Sequence, residues 1–99
     1  MIHEIAEIEV IEGHEAAFEA AVAEAAPHFK AARGCRSFAL NRSIEHLQRY
    51  RLTVGWDSVD DHVVHFRQGA GFQAWRGLVG PHFAAPPRVE HVETLFTAF

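Results

Sequence analysis

Residues 48–83, QRYRLTVGWDSVDDHVVHFRQGAGFQAWRGLVGPHF, contain the signals of a strand, a turn and two short helices in close succession. Between Tyr50 and Trp56, large apolar or aromatic residues alternate with polar residues or glycine, which is the pattern of a half-buried strand. Asp57 and Ser58 follow directly, and their side-chain oxygens can cap the free amides of a new helix. The sequence therefore predicts a strand that passes straight into a helix, with Trp56 at the junction.

The first predicted helix carries two histidines near its apolar side. Val59, Val63 and Phe66 recur at helical spacing and form a stripe that should pack on the preceding strand. His62 falls inside this stripe, and His65 lies on its edge. Both imidazoles are therefore expected near the space between helix and sheet, where a histidine can exchange protons around neutral pH.

The second predicted helix places an arginine on its apolar side. Residues 69–71, Gly-Ala-Gly, separate the two helices, and Phe72, Trp75 and Val79 form the second stripe, which Arg76 shares. Because a guanidinium keeps its charge when buried, Arg76 must reach solvent, pair with a carboxylate, or face a cavity that receives an anion. We expect one space between the sheet and the helices, bordered by Trp56, His62, His65 and Arg76.

Length and composition limit what the chain can be. The 99 residues are expected to form one domain, residues 1–99, with a single core. The net charge of −4, with 9 basic against 13 acidic residues, gives no electrostatic reason to expect nucleic acid or an anionic membrane as a partner. A single cysteine, Cys35, fits a reducing compartment. With neither a signal peptide nor an apolar run long enough to span a bilayer, a cytoplasmic location is expected.

A strand and a long helix precede the region of residues 48–83. Residues 2–11 alternate with the period of a strand. From His14 the chain is rich in alanine and carries apolar residues at helical spacing, so a long amphipathic helix is expected. Pro27 removes one backbone donor and should kink or end this helix near Ala26.

Two further strands complete the predicted fold. Residues 35–44 and 48–56 are expected to pair as an antiparallel hairpin, and residues 88–99 form a last strand. The order β-α-β-β-α(α)-β is that of the α+β, ferredoxin-like split β-α-β fold, a four-stranded antiparallel sheet with its helices on one face.

The other face of such a sheet would lie open. Because the first and last strands carry apolar residues on both faces, we expect two chains to pack their sheets face to face in a homodimer. The end of the C-terminal strand, residues 95–99, is expected to reach the partner.

Short motifs spread over nearly the whole chain give it a family resemblance. They are Ile5-Ala6-Glu7-Ile8, Glu12-Gly13-His14-Glu15, Arg33-Gly34-Cys35, Gly55-Trp56-Asp57-Ser58, and His65-Phe66 followed by Gly71-Phe72-Gln73-Ala74-Trp75. In this order and spacing the chain resembles the antibiotic biosynthesis monooxygenase (ABM) domains, which form dimeric α+β barrels. The resemblance implies pairing of two ferredoxin-like sheets into such a barrel.

The resemblance also implies a range of activities. Cofactor-free ABM oxygenases of polyketides use a tryptophan at the end of this strand and an arginine on the later helix, which Trp56 and Arg76 match. They also use an asparagine four residues before the tryptophan and a tyrosine six residues after it, where this chain has Leu52 and His62. The fold is therefore supported more strongly than any particular substrate.

Two other kinds of site are disfavoured. Haem-degrading ABM proteins use an asparagine on the first strand, which this chain lacks, and His65 stands in the place of their helix tryptophan. The spacing of His62 and His65 would allow one helical turn to offer two imidazoles to a metal, with Glu7 or His91 as a third ligand. We expect neither a bound cofactor nor a metal.

The leading hypothesis is a cofactor-independent monooxygenase that oxidises an electron-rich aromatic substrate, such as a quinol, a phenol or an anthrone-like compound. In it His65 or His62 removes a proton and Arg76 holds the resulting anion. The substrate-binding walls are expected to come from Trp56, Leu52, Phe66, Phe72 and Trp75. The alternative is a non-catalytic dimeric module of the same fold that binds or senses a small molecule.

Overall fold

The computed structural model describes all 99 residues and confirms the predicted α+β, ferredoxin-like fold. The four strands form one sheet in the order β2-β3-β1-β4, with every neighbouring pair antiparallel. The elements are β1 (Ile2–Glu9), α1 (Glu15–Lys30), β2 (Cys35–Arg42), β3 (Arg49–Trp56), a π-helical segment (Asp61–Phe66), α2 (Ala70–Val79), a 3-10 turn (Gly80–His82) and β4 (Arg88–Glu93). No helix has the length and apolar character that a membrane-spanning segment requires.

The core lies between the inner face of the sheet and the helices. On β1 it is the even-numbered residues that are buried, because successive side chains of a strand point to opposite faces. Helix α1 buries one face against this sheet, including Phe18 and Phe29. Pro27 does not end α1, which continues to Lys30. Burial of Phe29 and the hydrogen bond from the Ala31 N–H to the Pro27 carbonyl hold the last turn in place.

Strand β4 is shorter than predicted. It ends at Glu93, which pairs with Ile2 at the start of β1. Residues 94–99 have no strand partner because β1 does not extend beyond Ile2, so the predicted strand over these residues is wrong. Leu95 and Phe96 are 85% and 82% exposed in this segment.

The segment after β3 also differs from the prediction. It forms a π-helical segment, in which the Arg67 N–H donates to the carbonyl of His62, five residues earlier. The wider turn buries Asp61, His62 and Phe66. Val59, which was predicted to belong to the buried stripe, is 40% exposed.

Gly34, in the turn before β2, holds this segment against the sheet. Its φ of +76° lies in the left-handed region that glycine adopts readily. A Cβ at this position would collide with the Asp61 carboxylate. That carboxylate accepts a hydrogen bond from Ser58 and forms an ion pair with Arg33. The bare backbone of Gly34 therefore allows the π-helical segment to sit as close to the sheet as it does.

Candidate active site

A cavity of about 200 Å³ lies between the inner face of the sheet and α2. Five of the residues predicted from the sequence line it: His62, Arg76, Leu52, Phe72 and Trp75. Residues that the sequence did not single out also reach it, namely Glu4, Arg67 and Phe83. The cavity therefore joins acid-base groups and cations with aromatic walls.

Strand register places Glu4 beside His91 on the inner face of the sheet. Glu4 lies on β1 opposite His91 on β4, and its side chain is only 5% exposed. The indole N–H of Trp56 donates to Glu4 Oε1 at 3.0 Å. His62 approaches from the π-helical segment, with its Nε2 3.3 Å from the same oxygen. A buried carboxylate thus faces both an indole and an imidazole.

His62 extends this contact into a chain of polar groups. Its Nδ1 lies 2.8 Å from His91 Nε2, and the His62 ring itself is 3% exposed. If His62 donates its Nε2–H to Glu4, its Nδ1 is free to accept a hydrogen bond from the His91 Nε2–H. We call Trp56, Glu4, His62 and His91 the buried relay. Both ring nitrogens of His62 are engaged within it.

The electrostatics of the buried relay follow from burial. Loss of water lowers the pKa of His62 to about 4, and the positive charge of Arg67 acts in the same direction. The contact between His62 and Glu4 therefore joins a neutral imidazole to a carboxyl group near neutral pH, although its geometry would suit an ion pair. Burial also raises the pKa of Glu4, even though the Trp56 N–H and Arg67 favour its charged form. Glu4 is consequently a stronger base than an exposed glutamate.

His91 completes the relay at its more exposed end. Burial and the charge of Arg67 lower its pKa as well. The ring is only partly exposed and lies outside the cavity lining. His91 thus lies between the buried side chains of Glu4 and His62 and the solvent.

Trp56 supports the site from behind. It is fully buried and does not line the cavity. Its ring stacks on that of His62, with centroids 5.4 Å apart and an interplanar angle of 18°. As the last residue of β3 it also donates the hydrogen bond that orients Glu4. In this structure Trp56 positions two side chains.

Two arginines lie at the cavity. Arg67 follows the π-helical segment and Arg76 belongs to α2. The guanidinium carbon of Arg76 lies 5.9 Å from the centroid of the Phe72 ring. Neither guanidinium lies within ion-pairing distance of a carboxylate, and both side chains are solvent-accessible. The cavity therefore carries positive charge that no protein carboxylate pairs with directly.

His65 and Phe66 lie elsewhere. His65 is exposed and borders a separate surface groove with His28 and Arg33. Phe66 is buried in the core and also contacts that groove. The π-helical segment turns His65 away from His62, so the two rings do not converge as a metal site would require. No group of three or more potential metal-binding side chains converges elsewhere in the structure.

A larger groove of about 510 Å³ runs between α1 and β2. Cys35 borders it, and burial raises the pKa of its thiol, which lowers the fraction of reactive thiolate. No paired acid-base groups line this groove. The smaller cavity is therefore the better candidate for chemistry.

Two sequence comparisons relate this chain to known proteins. The model of the family described as "Antibiotic biosynthesis monooxygenase" matches residues 1–78. An uncharacterised Bacillus subtilis protein, YczJ, is 32% identical over 93 residues, which cover 94% of this chain and 98% of YczJ.

Solved structures extend the comparison. A Bordetella bronchiseptica protein assigned to the antibiotic biosynthesis monooxygenases is 57% identical, with a TM-score of 0.94 over 96% of this chain and 97% of that one. SnoaB, a cofactor-independent oxygenase from Streptomyces nogalater, has a TM-score of 0.85 over 98% of this chain and 95% of its own. At 18% identity, the similarity to SnoaB concerns the fold alone.

Proposed function

Because the chain belongs to the antibiotic biosynthesis monooxygenase family, we propose that it is a cofactor-independent monooxygenase of a small electron-rich aromatic substrate, such as a phenol or a quinol. The observation that carries this proposal is the position of the buried relay beside a cavity with aromatic walls and two arginines. SnoaB, a cofactor-independent oxygenase, has the same fold, so this fold can carry such a reaction.

The proposed reaction begins with the loss of a proton. Dioxygen reacts slowly with closed-shell organic molecules unless a phenolate or enolate can donate an electron. A phenol that becomes a quinone gains one oxygen atom and loses one C–H and one O–H hydrogen. Those two hydrogens leave with the second oxygen atom as water. The substrate thus supplies all four electrons, and the protein has to supply a base, a cation and dry walls.

Glu4 and His62 act together as the proposed base. Glu4 accepts the substrate proton on its carboxylate, which lines the cavity, and His62, whose Nε2–H donates to Glu4 Oε1, holds that carboxylate in position. The proton moves outward when the hydrogen bonds reverse, with the Glu4 hydroxyl donating to His62 Nε2 and His62 Nδ1–H donating to His91 Nε2. The guanidinium groups at the cavity stabilise the phenolate, a role predicted for Arg76 from the sequence.

Substitution of the two candidate histidines tests this assignment. His62→Gln is expected to reduce oxygen uptake with a panel of quinols and anthrones by roughly 100-fold or more, which is the usual loss when a general base is removed. His65→Gln provides the matched control and should retain the wild-type rate, because His65 faces a different groove. An unchanged rate in His62→Gln would eliminate His62 as the base.

A second candidate function follows from the fact that His62 has no ring nitrogen free for a substrate. Both nitrogens of His62 already have partners within the protein, and Leu52 replaces the asparagine expected of a polyketide oxygenase. These features would suit a module that binds a small molecule without reacting with it. Binding of quinols with no oxygen uptake, across the same panel, would favour this second candidate.

We also propose that the chain forms a homodimer through its open sheet face and C-terminal segment. On that face Ile5 lies opposite Glu90 and Val92 lies opposite His3, so Ile5 and Val92 are diagonal to each other. Leu95, Phe96 and Phe99 are exposed beyond β4. Burial of these side chains against a second copy would remove apolar surface from water. Sedimentation equilibrium at micromolar concentration should give twice the chain mass, whereas the mass of one chain would refute the dimer.

A further inference from the structure

The arginines of this chain divide into two groups. Of the eight arginines in the sequence, six form ion pairs with carboxylates. These six are Arg33, Arg36, Arg42, Arg49, Arg51 and Arg88. The other two, Arg67 and Arg76, both line the cavity. Uncompensated guanidinium groups are thus concentrated at a single place in a chain whose net charge is −4.

One cation is sufficient for a phenolate, and the cavity has two. Arg67 lines the cavity together with Glu4 and His62 and directly follows the π-helical segment that carries His62. Its charge acts on Glu4, His62 and His91. It is therefore the cation that would face a hydroxyl group losing its proton to the relay. Arg76, positioned over Phe72 on α2, is left for a second anionic group.

The size of the cavity limits the ligand. About 200 Å³ is below the roughly 300–1,000 Å³ typical of sites for drug-sized ligands. An apolar cavity of roughly 150 Å³ in another protein accepts benzene. A single aromatic ring with a few small polar substituents therefore matches this space.

We propose, building on the proposed function, that the substrate is a small hydroxyaromatic carboxylate. Arg76 binds the carboxylate, and Arg67 faces the hydroxyl group that is deprotonated. A guanidinium can bind a carboxylate through two parallel hydrogen bonds, which fixes the orientation of the ring as well as its affinity. Glu4 supports the same orientation, because a substrate carboxylate placed toward the relay would meet a carboxyl group there.

Two probe ligands that differ by one group test the proposal. Hydroquinone and 2,5-dihydroxybenzoate share the same ring and hydroxyl groups, but only the second carries a carboxylate. Without oxygen, binding can be followed by calorimetry and by the change in tryptophan fluorescence, because Trp75, one of the two tryptophans, lines the cavity. We expect 2,5-dihydroxybenzoate to bind roughly tenfold to a hundredfold more tightly, the range for a charge-assisted hydrogen bond.

Substitutions test whether Arg76 causes the tighter binding of the ligand that carries a carboxylate. Arg76→Gln should abolish the preference, and Arg76→Lys should restore part of it because the charge remains. Arg88→Gln is the matched control, because Arg88 pairs with Glu7 away from the cavity, and it should keep the full preference. Thermal unfolding of each variant shows whether the fold is retained.

The outcomes separate this inference from the proposed function. Equal affinity for the two ligands, or a preference that survives in Arg76→Gln, overturns the inference. A carboxylate preference that depends on Arg76 supports it, even if neither ligand causes oxygen uptake. In that case the ligand class stands, and absence of oxygen uptake across the whole panel of quinols and anthrones would overturn the monooxygenase proposal separately.

Discussion

Two histidine pairs in this protein have similar geometry and different surroundings. In the first, which we call the buried pair, His91 approaches to 2.8 Å of His62, which is 3% exposed. In the second, which we call the surface pair, the two half-buried rings of His14 and His82 approach to 3.1 Å. Only the buried pair touches a carboxylate, that of Glu4. Close approach of two imidazoles therefore does not by itself make a site, whereas burial beside a carboxylate changes what the rings can do.

The largest expected effect comes from making the buried pair resemble the surface pair. Glu4→Gln removes the carboxylate charge, while the amide oxygen can still accept from the Trp56 and His62 N–H groups. Oxygen uptake with a reactive substrate should fall by roughly 100-fold or more, because the carboxylate that accepts the substrate proton is lost. Glu9→Gln is the control, since Glu9 only pairs with exposed Arg49. Equal activity in both variants would contradict the role of Glu4.

The next largest effect expected is on the pH dependence of stability, which should differ between the buried pair and the surface pair. The pKa of His62 is about 4 in the folded protein and about 6.5 ordinarily, so between these values the unfolded chain binds a proton that the folded chain does not. Stability should therefore fall as the pH drops from about 6.5 to about 4, by about 3 kcal/mol.

Urea unfolding across this pH range measures the effect. His62→Gln should flatten the dependence, and His14→Gln, at the surface pair, should leave it in place. The raised pKa of Glu4 acts in the opposite direction above about 4.5, because the folded chain then holds the additional proton. The measurement is therefore repeated in the Glu4→Gln background, where a dependence on His62 should become steeper.

Loss of the Trp56 N–H is expected to lower the free energy of unfolding by a smaller amount than the change in pH does. Trp56→Phe keeps an aromatic ring behind His62 but leaves Glu4 without its indole donor, at a cost of about 1–3 kcal/mol. Trp75→Phe serves as the comparison, because Trp75 donates no side-chain hydrogen bond. Chemical denaturation should show the larger loss for Trp56→Phe, and the reverse order would argue against the buried hydrogen bond.

The smallest effect is expected at the outer member of the relay. His91→Gln removes the proposed exit for the proton while Glu4 and His62 remain, so the rate should fall by roughly tenfold, as for other residues that act through a second group. The loss should vary with pH, since His91 acts by exchanging protons. His82→Gln, at the surface pair, should retain both the rate and its pH profile.

The sequence predicted the sheet well and parts of the site. The alternation from Tyr50 to Trp56 and the apolar spacing of α2 define the strand and helix that enclose the cavity. Arg76 and His62 reach the cavity as expected. Their periodic patterns record which side of an element is buried, and this is the information that a single sequence carries best.

Other members of the site had weaker signals. Glu4 interrupts the buried face of β1, and a charged residue at that position was the available clue. His65 was misleading because an α-helical period does not describe a π-helical segment. His91 depends on the register between β1 and β4, which pairs residues 87 positions apart, and it lies outside residues 1–78 that match the family model. The spacing of residues within one strand or helix does not predict such long-range pairing.

Gly34 does not line the cavity, but it affects the position of the cavity residue His62. Any side chain there would push Asp61 outward, and His62 is the next residue along the same segment. A larger residue at position 34 is therefore expected to displace His62 while every residue that lines the cavity remains unchanged. Glycine at position 34 is accordingly a requirement of the site that the residues lining the cavity do not reveal.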